Sequence, residues 1–193
     1  PLYAVWAAST QDAWVTSQMG EVYHWDGTRF SPSTAGAADL YGVWGTAPND
    51  VWAVGNGSTA LHYNGAGWTA VGVNPSNAAN LRAVWGPDAA TVYAVGQDQI
   101  LQYSSASGRF ESLHRESGAQ LQGVGGSGTG TGNMWAVGTN SNESAGVLLH
   151  AAELPTQTPQ FAQPILRSAW GGPSGQVWIV GDNGTILRYR PTG

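Results

Sequence analysis

The chain has no cysteine and no lysine, few charges of either sign, and no long apolar run. Without cysteine it has neither a disulfide frame nor a thiolate site for metal or redox chemistry. All seven basic residues are arginine, and the net charge of −5 offers no electrostatic footprint for nucleic acid and no basic run for an anionic membrane surface. No apolar stretch approaches the roughly 18 residues of a membrane span, and Pro1 opens no signal-peptide-like segment. A start at Pro1 without Met points to a mature product or an excised piece of a longer chain. The expected partners therefore exclude nucleic acid and membrane insertion, and no cofactor or metal is expected.

What is abundant is glycine, 28 residues, and tryptophan, 10 residues, a composition suited to tight turns and aromatic packing. Both recur in register. First segments read Leu2-Tyr-Ala-Val-Trp6, Leu40-Tyr-Gly-Val-Trp44, Leu81-Arg-Ala-Val-Trp85, Leu121-Gln-Gly-Val-Gly125 and Leu166-Arg-Ser-Ala-Trp170, at intervals of 38, 41, 40 and 45 residues. A period near forty with apolar runs of five or six residues predicts propeller blades of four antiparallel strands. Gly, Asn, Pro and Ser interrupt the runs too often for a helical solenoid.

Second segments (Ala13 to Thr16, Val51 to Val54, Val92 to Val95, Met134 to Val137, Val177 to Val180) are almost continuously apolar, as strands covered on both faces are. Third segments carry His24, His62, Gln102, His150 and Arg188 at one position, and a more polar fourth is anchored by Phe30, Trp68, Phe110 and Phe161. Asp26-Gly27 and Asn64-Gly65 predict type I′ hairpins between the third and fourth strands. The fold expected is all-β: one domain over 1–193, a closed five-bladed β-propeller with blades about 2–36, 37–76, 77–117, 118–163 and 164–193. The last blade would lack its outer strand, and the ring would be held by packing between blades one and five. A monomer is expected, with a homo-oligomer through the incomplete fifth blade as the alternative.

The phrases VWGTAPNDVWAVG, VYAVGQDQILQY and VWIVGDNGTILRY resemble the Trp- and Gly-rich propeller repeats of secreted bacterial proteins. They are similar to sialidase Asp-box-like and photosystem-assembly-factor-like repeats. His62-Tyr-Asn-Gly-Ala-Gly-Trp68 keeps the Gly and Trp of the Asp box but not its Ser and Asp. The resemblance implies a propeller used for binding or assembly, in an extracellular or periplasmic setting.

Most chemically suggestive residues have structural readings. Equivalent histidines on successive blades stand about 10 Å apart, too far to share a metal. Asp12, Asp50 and Asp88 fall in turns, where aspartate bonds backbone amides. No repeat holds two carboxylates at a spacing useful for glycoside hydrolysis. Tryptophans repeated in register are read as packing between blades.

Function is therefore sought where the repeats differ. Residues entering the first strand vary as Tyr3, Tyr41, Arg82, Gln122 and Arg167, and those leaving the second as Ser17, Asn56, Gln97, Thr139 and Asp182. Antiparallel pairing puts both sets on one face of the disc. Tyr3, Tyr41, Arg82, Gln122, Arg167, Asn56, Gln97 and Asp182 are the candidate binding residues for a glycan or a protein ligand. A non-enzymatic binding propeller is the leading expectation. A structural or assembly module and a glycosidase- or lyase-type enzyme are the alternatives.

Overall fold

Short apolar runs separated by glycine and asparagine turns give an all-β chain. The computed structural model describes residues 1–193 except 76, 78, 129–132, 154–159, 162–163, 173–174 and 191–193. The first sheet orders β1 (Leu2–Ser9), β2 (Asp12–Ser17), β3 (Glu21–Trp25) and β4 (Phe30–Thr34). The second orders β5 (Leu40–Ala47), β6 (Asp50–Gly55), β7 (Ala60–Tyr63) and β8 (Trp68–Ala70). A short β9 (Gly72–Asn74) leaves it to pair in parallel with a strand of the third sheet.

That third sheet has seven strands, β9 among them. The others are β10 (Leu81–Asp88), β11 (Thr91–Ser104), β12 (Arg109–Gly126), β13 (Met134–Asn140), β14 (Gly146–His150) and β15 (Gln160–Phe161), in sequence order. The last sheet has three strands, β16 (Leu166–Gly171), β17 (Val177–Gly181) and β18 (Ile186–Tyr189).

The propeller thus has four blades, which corrects the expectation of five. The cause is β12, one continuous strand of 18 residues where the repeat predicts an outer strand, a break and a new inner strand. It pairs with β11 from Arg109 to Arg115 and again at Gln120, and with β13 from Ala119 onward. Hydrogen bonding therefore runs unbroken from the third repeat into the fourth. This wide sheet turns on itself, so that Trp85 on β10 reaches Gly126 at the end of β12.

The core lies between successive sheets. Trp14 and Val22 of the first sheet pack with Leu40, Val43, Ala53 and Leu61 of the second, and Trp52 and Val54 pack in turn with Leu81 and Val84 of the third. Trp14 and Trp52, at the second-strand position, are gripped by rings of the following repeat: Trp14 lies 4.6 Å from Tyr63 and 5.5 Å from Trp68, and Trp52 lies 4.7 Å from Tyr103 and 5.7 Å from Phe110.

The third-strand histidines stack on the same tryptophans, with centroids 4.2 Å apart for Trp14–His24, 4.1 Å for Trp52–His62 and 4.1 Å for Trp135–His150. Two of these histidines are held by the turn aspartates: His24 Nε2 is 2.9 Å from Asp12 Oδ2, and His62 Nε2 is 2.6 Å from Asp50 Oδ1. Asp12 and Asp50 therefore orient a ring, while Asp88 accepts from the Ala90 N–H at 3.0 Å as expected of a turn residue.

Closure of the ring is also corrected. Leu2 is 67% and Val5 69% exposed on the first sheet, and Trp170 is 63% and Ile186 67% exposed on the last. The two end sheets leave their outer faces open to solvent.

Turn chemistry differs from expectation too. Consecutive residues of positive φ, the type I′ signature, occur between the second and third strands, at Met19-Gly20, Gly57-Ser58 and Asn183-Gly184. At Asp26-Gly27 only the glycine has positive φ, and the Asp26 carboxylate closes the turn by accepting from the Thr28 hydroxyl at 2.6 Å and from the Thr28 and Arg29 N–H groups at 2.9 Å each. These bonds, the hydroxyl foremost, lower the Asp26 carboxyl from 3.8 to about 2. A depressed carboxylate pKa adds stability at pH above its unfolded value, and that stability is lost as pH falls through the folded value. The stability difference between wild type and Asp26→Asn should thus be constant above about pH 5 and change progressively from there down to about pH 1, read by chemical unfolding across that range.

Candidate functional site

In all five repeats the first strand enters its sheet through the same irregularity. Leu2 pairs with Ser17 and the register resumes at Ala4, skipping Tyr3. The same skip falls on Tyr41 between Leu40 and Gly42, on Arg82 between Leu81 and Ala83, on Gln122 between Leu121 and Gly123, and on Arg167 between Leu166 and Ser168. Each variable residue is therefore the extra residue of a β-bulge, a device that re-aims a side chain out of the ladder. A regular strand would have buried every second one against a neighbouring sheet.

The glycine of V-W-x-V-G makes the bulge possible. A Cβ on Gly55 would overlap the Asp39 carbonyl, and one on Gly96, Gly138 or Gly181 would overlap the carbonyl of Asn80, Gln120 or Ile165. The next residue holds that same carbonyl: Asn56 N–H donates to Asp39 O at 2.8 Å, Gln97 N–H to Asn80 O at 3.2 Å and Asp182 N–H to Ile165 O at 2.8 Å. In the first repeat Ser17 occupies the glycine position, and its hydroxyl donates to Pro1 O at 2.8 Å.

The bulged residues meet one another. Tyr3 and Tyr41 pack at 5.1 Å with their planes 73° apart, and the Arg82 guanidinium lies 4.4 Å over the Tyr41 ring. On the far side Arg167 donates to Gln122 Oε1 at 3.0 Å and forks onto Asp182 with two bonds of 2.8 Å. Between these groups is an open depression of about 420 Å³ lined by Tyr3, Tyr41, Arg82, Gln122, Gln120, Leu121 and Glu143.

Four of the eight expected residues thus line one cavity, and Arg167 with Asp182 braces its edge. Asn56 and Gln97 lie on the same face but do not line the depression. Gln120, Leu121 and Glu143 are not among the residues the repeat pattern singles out. Glu143 comes from the insertion over Thr139 to Ala145, where the fourth repeat departs from the others, and that departure is the available signal. The other insertion of that repeat, Gly126 to Gly132, lies partly outside the described residues.

Electrostatically, the Asp182 bonds to Arg167 lower the aspartate's pKa and raise the guanidinium's. Arg167 is therefore a neutralised brace. Arg82 forms no ion pair among the described residues and remains the charge offered to a ligand. The Tyr3 hydroxyl is pushed up, mainly by desolvation and then by Asp39, so it stays a neutral donor. Among the described residues Glu143 is the one carboxylate lining the depression, so these residues form no acid pair there of the kind glycoside hydrolysis uses. Among the described residues no cluster of three or more His, Asp or Glu could hold a metal ion.

No protein-family profile matches the chain, and no curated protein matches it. Solved structures do. YCF48 bound to D1 peptide superposes with a TM-score of 0.68 at 16% identity, over 98% of this chain and 63% of that one. A catalytically inactive virginiamycin B lyase from Staphylococcus aureus with quinupristin gives 0.70 at 13% identity, over 97% and 69%. An ancestral GH74 enzyme gives 0.70 at 10% identity, over 97% of this chain and 32% of that one. At these identities the likeness is one of β-propeller fold. The chain spans less than two thirds of the YCF48 and GH74 structures.

Proposed function

We propose that this chain is a non-enzymatic binding propeller that takes an extended peptide across the depression at the mouth of the bulged strands. The observation that carries this reading is the convergence of Tyr3, Tyr41, Arg82 and Gln122, the most variable residues of otherwise regular repeats, on one cavity. The chemistry of the lining favours a peptide over a sugar. Flat stacking on a sugar needs a free aromatic platform, whereas Tyr3 and Tyr41 are steeply inclined to one another and Arg82 covers one face of Tyr41. Gln120 and Gln122 present amide donors and acceptors suited to peptide groups, Arg82 suits a carboxylate, and Glu143 suits a cationic side chain. YCF48, a propeller of the same fold, is seen with a peptide, which supports the reading without fixing the sequence bound.

Peptides selected from a random-sequence display library on the wild-type protein are the test. Tyr and Arg anchors dominate binding energy at interfaces, so the double variant Tyr41→Ala with Arg82→Ala should weaken those peptides at least about tenfold in titration calorimetry. Unchanged affinity would reject this face as the site. Recovery of binders on a glycan array and of no peptide would reject the ligand class.

A further inference from the structure

The end faces of the arc differ from ordinary protein surface in one respect: their residues are the ones buried at every internal junction. The first sheet exposes Leu2 and Val5, whereas their counterparts Leu40, Leu81, Leu121 and Leu166, and Val43, Val84, Val124 and Ala169, are buried by the preceding sheet or sheet half. The last sheet exposes Trp170, Trp178, Val180 and Ile186. The counterparts of Trp178 (Trp14, Trp52, Tyr93, Trp135), of Val180 (Thr16, Val54, Val95, Val137) and of Ile186 (Val22, Ala60, Ile100, Leu148) are all buried by the next sheet or sheet half.

Each face also keeps the features that join one repeat to the next. On the first sheet Trp25 and Phe30 pack at 5.2 Å, in the positions from which Tyr63 with Trp68, and Tyr103 with Phe110, grip a tryptophan of the preceding sheet. Beside Phe30 an apolar hollow of about 330 Å³ is lined by Leu2, Val15 and Tyr23. On the last sheet the Arg188 guanidinium lies 5.2 Å over the Trp178 ring, which is 38% exposed.

We propose that both faces are docking faces for further sheets of this same repeat, and that the last face takes a sheet whose first strand reads Trp-Gly. Glycine is required by the geometry of the internal junctions. The Trp6 ring would lie 2.9 Å from a Cβ on Gly45, the Trp44 ring 3.0 Å from one on Gly86, and the Trp85 ring 2.6 Å from one on Gly126, at or inside the closest approach of side chains, and a carbonyl of the glycine's own sheet (Asp50, Thr91 or Asn133) would lie nearer still. Trp170 presents the same indole to the next sheet. The chain's own first sheet has Ala7 at the receiving position, so a second copy of this chain is a poor occupant. Arc length agrees: the five repeats cover 63% of the YCF48 chain and 69% of the lyase, which leaves about a third of each, less than a second copy would need.

The test extends the full chain after Tyr189 by a second copy of its own residues 64–103, which continue the register with an outer strand and a sheet carrying Trp85-Gly86. A second extension uses residues 26–63, which carry Trp44-Gly45. Hydroxyl-radical footprinting read by mass spectrometry reports each tryptophan separately. In both extended chains the reactivity of Trp170 should fall to that of the internal Trp44, and the reactivity of Trp178 to that of Trp52. Replacing the appended Gly86 by Leu should restore reactivity at Trp170. Trp170 and Trp178 as reactive in both extended chains as in the original would overturn the proposal. So would a concentration-dependent dimer of the unextended chain, in sedimentation equilibrium, with Leu2 and Trp170 protected together, because the occupant would then be a second copy.

Discussion

Trp52→Ala should destabilise the protein by about 3–5 kcal/mol, the cost of deleting a large aromatic from a packed interior and leaving a cavity. Trp52 is 2% exposed and is packed by rings and aliphatic side chains: His62 of its own sheet stacks at 4.1 Å, Tyr103 and Phe110 of the next sheet close over it, and Leu81 and Val84 share its cluster. No neighbour can collapse into the space without breaking the junction between the two sheets. Trp178 occupies the same repeat position, yet it is 38% exposed because no sheet covers it. Trp178→Ala should cost a small fraction of the Trp52→Ala value in urea unfolding. Equal losses at the two sites would contradict the assignment of the tryptophans to packing between sheets.

The second large effect is expected at Gly96→Ala. The new Cβ would overlap the Asn80 carbonyl, and that carbonyl is already fixed by the Gln97 N–H. Relief requires the start of β10 to move away from β11, and overpacking of this kind costs about 1–3 kcal/mol. The displaced strand is the one that aims Arg82, so the variant should lose affinity for selected peptides as well as stability. Gly57→Ala is the control for glycine substitution in general, because a Cβ there meets no atom within 4 Å and only its φ of 64° is strained. A Gly96→Ala protein with wild-type stability and binding would show that the glycine does not shape the bulge.

Much of this is legible in the sequence because a repeat writes each constraint several times. The strand positions, the packing role of Trp14, Trp52 and Trp135, and the shared face of Tyr3, Tyr41, Arg82 and Gln122 all emerge from aligning five versions of one pattern. The bulge explains why the variable residues sit where they do, but alignment alone does not reveal it, since a skipped residue leaves no mark in a five-residue run. The number of blades depends on Gln120, which pairs with Gln97 of β11 on one side and Thr139 of β13 on the other, so that β12 passes from one partner to the next as one strand. Closure is illegible for a different reason. Trp170 and Trp178 carry the same code as their buried counterparts, and nothing in that code states whether a neighbour is present. The Asp12–His24 and Asp50–His62 pairs join the beginning of one strand to the middle of the next, a contact that turn chemistry alone does not suggest.

The measurement that bears most directly on the central claim, that bulged residues of successive repeats form one ligand site, is hydrogen–deuterium exchange of the intact protein with and without a saturating selected peptide. Protection is predicted over residues 2–4, 40–42, 81–83, 120–123 and 140–144, with the outer strands β4 and β8 unchanged. Protection on those outer strands, with none over the four bulges at Tyr3, Tyr41, Arg82 and Gln122, would contradict it.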